Sequence, residues 1–93
     1  MKIPKKLKIG GHTFTVKEVS EVAIEAINTA DDMGSCDLQE LVIYLSADQA
    51  QSRKEAVLIH EILHALNPQM KHVFLTGLAE QLYQVLRDNR LLR

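Results

Sequence analysis

The most specific chemistry in this chain lies in one short run, His60-Glu61-Ile62-Leu63-His64. On a helix, positions i and i+4 project the same way, about one turn apart. Two neutral imidazole nitrogens so placed can hold one Zn²⁺ at ~2.0–2.1 Å. Glu61 is offset from His60 by about 100°, so its carboxylate can reach a water beside the ion without ligating the ion. Zn²⁺ lowers the pKa of such a water toward ~7, and a carboxylate can take its proton as it attacks a carbonyl. From the chain's own His and Glu frequencies, such a string arises by chance with a probability of roughly 1%. The bland alternative is an amphipathic helix carrying two exposed histidines.

The elements that must position these residues follow from periodicity. A helix is predicted over 51–66, with Leu58, Ile59, Ile62, Leu63 and Leu66 on one face and the motif's polar residues opposite. Val57 lies beneath His60 and His64 as a floor. Ser52 followed by Glu55 has the spacing of a capping box, and Asn67-Pro68 stops the helix. A last helix over 71–89 carries a stripe of Phe74, Leu75, Leu78, Leu82, Val85 and Leu86. Gly77 within it costs ~1 kcal/mol against alanine and marks a close helix–helix contact. Upstream, residues 6–19 read as a β-hairpin: Leu7 and Ile9, a Gly10-Gly11 turn, then Phe14, Val16 and Val19. Ser20 is a helix N-cap before Ala23, Ile24 and Ile27, and residues 28–35 have turn chemistry. Residues 41–45 form a buried strand, paired with 35–37 through a turn at Gln39-Glu40.

Composition narrows the class. At 93 residues the chain is one domain, 1–93, and its 46% apolar content argues against disorder. The net charge of −1 gives no pull toward nucleic acid. No run approaches the ~18 apolar residues that would cross a membrane, and the lysine-rich start lacks the apolar segment of a secretory signal. A single cysteine, Cys36, excludes an internal disulfide framework and a four-cysteine zinc site. It reads as a small buried apolar residue, and a reducing, cytoplasmic setting follows as the default. Charge is uneven: Lys2, Lys5, Lys6 and Lys8 cluster near the start, whereas 18–52 holds eight acids and no Lys or Arg. That acidic stretch points to basic peptides as partners. The lysines and His12 read as solvated surface.

Three stretches together resemble small phage and prophage zincin-like metallopeptidases, the minimal gluzincin-like type. They are Ile3-Pro-Lys-Lys-Leu-Lys-Ile-Gly-Gly-His-Thr-Phe14, His60-Glu-Ile-Leu-His-Ala-Leu66 and Leu82-Tyr-Gln-Val-Leu-Arg-Asp-Asn89. Residues 20–50 carry the least of the likeness. The resemblance implies zinc and peptide-bond hydrolysis, with His60 and His64 as ligands and Glu61 as base. It also implies a C-terminal helix delivering the third ligand, a glutamate, where this chain has Thr76. A threonine hydroxyl stays protonated near neutral pH and is a poor zinc ligand.

Two residues can replace that glutamate, or no protein group completes the site and a weak two-histidine site remains. Helical geometry places His72 on one stripe with Thr76 and Tyr83 at the edge of the core, and Glu80 farther toward solvent. Gluzincin habit favours Glu80, geometry favours His72, and at ~12 Å apart along the axis they cannot share one ion. Tyr83 is a candidate donor to a developing oxyanion. Tyr44 can face the cleft, and if the strand before the motif helix is an edge, an extended peptide can add to it.

The expected fold is α+β: a small, mainly antiparallel sheet with helices on one face, and the motif helix between the sheet and the last helix. The expected function is a zinc peptidase acting on a peptide or protein. The competing readings are a zincin-shaped binding or regulatory module without turnover, and a purely structural zinc site.

Overall fold

The computed structural model describes residues 1–20, 22–24 and 33–92. Strands β1 (Lys6–Ile9) and β2 (His12–Val19) form the expected hairpin, with Leu7 opposite Phe14. Gly10 (φ 58°) and Gly11 (φ 82°) occupy the left-handed turn positions that glycine adopts without a Cβ clash. Alternation along β2 sends Phe14 and Val16 into the core. Ser20 caps a helical turn as expected: its Oγ accepts the Ala23 N–H at 3.2 Å, and Ile24 beyond it is fully buried. The expected continuation to Ile27 and the turn residues 28–32 lie outside the described residues.

Strands β3 (Gly34–Asp37) and β4 (Val42–Ser46) pair antiparallel, Ser35 opposite Tyr44. Asp37 Oδ1 tightens the turn between them by accepting the N–H groups of Gln39 (3.0 Å) and Glu40 (2.9 Å). The sheet order is β1-β2-β4-β3. Its central pair, β2 with β4, runs parallel, Val16 opposite Ile43. The sheet is therefore mixed, which corrects the expectation of a mainly antiparallel one. The chain crosses over between β2 and β3, so the second hairpin returns with β4 running alongside β2. Among the described strands β1 and β3 are the outer ones, and β4 lies inside the sheet. Residues Val42, Ile43, Leu45 and Ser46 are all buried.

Helices α1 (Gln51–Leu66) and α2 (His72–Asp88) complete the α+β fold. Helix α1 packs on the sheet, and α2 packs principally on α1. One core lies between sheet and α1, built from Ile9, Phe14, Val16, Ile43, Leu45 and Leu58. A second lies between the helices, built from Ile59, Ala79 and Tyr83. No helix among the described residues is long and apolar enough to cross a membrane.

Three expectations about the helices are corrected. The N-cap of α1 is Ala50, with no side-chain capping bond. Glu55 is instead drawn inward, where its Oε1 accepts the Tyr83 hydroxyl at 2.9 Å and its Oε2 accepts Gln51 Nε2 at 3.2 Å. Second, the motif's polar residues are not segregated from the apolar face. Leu58, Ile59, His60 and Glu61 are buried in succession because α1 is covered on two sides. Third, the apolar stripe of α2 is not its packed face. Leu75, Ala79 and Tyr83 are buried, while Phe74, Leu78, Leu82 and Val85 stay exposed. The small side chain of Ala79 allows the close approach of α1, and the Tyr83–Glu55 bond sets the rotation.

Candidate metal centre

The site forms where α1 ends and α2 begins. Leu58 and Ile59 anchor α1 on opposite sides, one to the sheet and one to α2. That orientation turns His60 and His64 toward the first turn of α2. Asn67 closes α1 with a backbone bond to the Leu63 carbonyl at 2.9 Å, and Pro68 prevents continuation. The chain reverses through 67–71, and His72 opens α2.

This reversal brings His60, His64 and His72 together. One nitrogen from each ring lies within 4.8 Å of the others. The Nε2 atoms of His60 and His64 are 3.1 Å apart, close to the ~3.3 Å between two nitrogens held at ~2.05 Å by a tetrahedral ion. The ring centroid of His72 lies 5.0 Å from that of His60 and 5.6 Å from that of His64. His60 is buried, His64 half-buried and His72 exposed, so the ring with most freedom is the one that must move to close the set. Three imidazole donors suit zinc and several other divalent transition metals. These three histidines could hold a metal ion.

Glu80, the other candidate ligand, stays outside this group. It is exposed and lines a cavity of about 270 Å³ that it shares with His60 and His72. Ala56, Val57 and Ala79 form the wall of that cavity, with Met33, Arg53 and Thr76. The alanines leave the room. Thr76 Oγ1 is buried there without a hydrogen-bond partner, an orphaned polar atom beside the histidines.

Glu61 is 2% exposed. It points to β3, where its Oε2 lies 3.1 Å from the place a Cβ on Gly34 would take. Cys36 is half-buried on the same strand. Burial, with the negative charges of Glu61 and Asp37, pushes its thiol up to about 11. Tyr83 lies elsewhere. Its hydroxyl is committed to Glu55, and burial with that hydrogen bond raises its pKa. It is not among the residues lining the cavity at His60 and His72. Burial opposes ionisation of Glu55, but hydrogen bonds from Tyr83, Gln51 and the Met1 amino group outweigh it and lower the pKa. Tyr44 also points away: Ile43 and Leu45 face α1, so alternation turns Tyr44 to the other face of the sheet. His12 is exposed and lines a separate cavity with Ile9, Phe14 and Leu41.

Sequence reasoning found Val57 beneath the histidines but not Ala56 and Ala79 in the cavity wall, nor Gly34. Ala56 stands four residues before His60, and that spacing was the available signal. Compared with protein-family models, curated proteins and solved structures, the chain matches none.

Proposed function

We propose that this chain is a minimal zincin-like zinc peptidase whose substrate is a peptide or protein. The observation that carries the reading is the convergence of His72 on His60 and His64, with Glu61 one residue along the same helix. His60, His64 and His72 would hold the ion. Bound there, Zn²⁺ would polarise the scissile carbonyl and make water nucleophilic near neutral pH. Glu61 takes the water's proton and returns it to the leaving amine. An extended peptide runs alongside β3, whose Gly34 stands beside Glu61. One substrate side chain enters the cavity between the helices, where the Thr76 hydroxyl is free to bond it.

The 2% exposure of Glu61 favours a second reading, a metal-holding binding module without turnover, because a general base needs access to water. One experiment separates the two. The zinc-loaded chain is offered a mixed peptide library beside Glu61→Gln loaded to the same stoichiometry. The peptidase reading expects cleavage by the native chain and a loss of ~100-fold or more in the variant. Tight zinc in both with no cleavage by either establishes the module. No retained zinc in the native chain overturns both.

A further inference from the structure

Helix α2 has two apolar faces, and the fold uses one. Phe74, Leu78, Leu82 and Val85 lie within about 80° of one another round the helix and remain 68%, 46%, 36% and 45% exposed. With ordinary side-chain areas they offer roughly 350 Å² of apolar surface, within the range of the largest patch on a typical monomer. Gly77 borders this stripe. A Cβ there would meet nothing within 4 Å, and its φ is not among the positive ones. No contact of the described fold explains a glycine that weakens the helix. Bare backbone beside an apolar stripe suits the close approach of another helix.

We propose that the stripe pairs with itself on a second copy of this chain, antiparallel about a twofold axis. The spacing 74-78-82-85 reads nearly the same in both directions. Reversal about its midpoint sets Phe74 against Val85 of the second copy and Leu78 against Leu82, and symmetry repeats each contact, as a self-complementary interface demands. The same pairing brings Lys71, just before the helix, toward the end where the second copy carries Asp88, whereas a parallel pairing opposes Lys71 to Lys71. Two stripes contribute roughly 700 Å² of apolar contact, below the ~1,200 Å² lower bound of stable specific interfaces. The dimer is therefore dissociable. His72, Thr76 and Glu80 lie on another side of α2, so the metal centre stays open and this inference stands apart from the proposed function.

Sedimentation equilibrium of the full chain from about 1 to about 500 µM tests it. The expected result is a weight-average mass rising from 10.5 kDa toward twice that value. Leu78→Glu and Leu82→Lys should each weaken association at least tenfold with an unchanged far-ultraviolet circular dichroism spectrum. An equimolar mixture of the two should associate again, because the introduced carboxylate faces the introduced ammonium only in the antiparallel arrangement. A native chain that stays monomeric throughout overturns the proposal and assigns the stripe to a different partner. Association indifferent to Leu78→Glu also overturns it, and a mixture that stays monomeric overturns the antiparallel geometry.

Discussion

Glu61 Oε2 lies 3.1 Å from the point where a Cβ on Gly34 would sit. The same point is 2.6 Å from Val57 Cγ1 and 3.1 Å from the Tyr44 carbonyl oxygen. A glycine at the start of β3 is what lets the outer strand close on α1 at the motif. Gly34→Ala should therefore cost about 1–3 kcal/mol through overpacking, read as a shift of the urea midpoint at constant slope. Adding Val57→Ala should recover part of the loss, since the two sites share one contact. Additive losses would refute the shared contact.

The proposed ligand set makes a sharper prediction. Metal analysis after dialysis against a weak chelator should find one zinc per native chain. His60→Ala, His64→Ala and His72→Ala should each lower affinity by ~100-fold or more, beyond the range of outer-shell changes. Glu80→Ala and Thr76→Val should stay within about threefold of the native value. Zinc lost in Glu80→Ala and kept in His72→Ala would move the third ligand two turns along α2.

The Tyr83–Glu55 bond predicts how stability depends on pH. Glu55 titrates below its ordinary 4.5 in the folded chain, so its contribution is present above that value and is lost as pH falls through the folded pKa. Tyr83 titrates above its ordinary 10.0, so its contribution is present below that value and is lost as pH rises through the folded pKa. Tm measured from pH 2 to 11.5 (a range of about ten units) should fall at both ends. Tyr83→Phe should lower stability by about 1.5–3 kcal/mol at neutral pH and remove this residue's share of the alkaline fall. An unchanged alkaline limb in that variant would place its cause elsewhere.

Cys36 should be a poor nucleophile. With its thiol pushed up to about 11 from 9.0, the thiolate fraction at neutral pH drops by about 100-fold. Reaction with a disulfide reagent at pH 8 should be slower than in the urea-unfolded chain by about that factor. A difference of less than about tenfold would contradict the burial described for this strand.

Much of the fold was legible because it is local. The glycine pair at 10–11, the stop at Pro68 and the change from period 2 to period 3.6 placed both hairpins and both long helices. The two-histidine half of the site was legible too, since i and i+4 fall on one helix face. The remainder depends on neighbours that periodicity does not see. The apolar stripe of α2 suggested the wrong packed face, because Ala79 and the buried Tyr83–Glu55 pair decide the rotation. Parallel pairing of β2 with β4 depends on how the chain crosses over between them. The burial of Glu61 reflects a clearance made by Gly34 twenty-seven residues away.

The placement of His72 at the first residue of α2 would couple metal binding to cooperativity. Helix α2 rests principally on α1 and is reached by a short reversal, so it is the element whose undocking disrupts least of the remaining structure. An ion shared by His60, His64 and His72 would cross-link the two helices at that hinge. Opening of α2 and release of the ion then become one event, and amide protons in 75–88 should exchange more slowly in proportion to metal occupancy. Metal supply would thus set the lifetime of the inter-helical cavity as well as its chemistry.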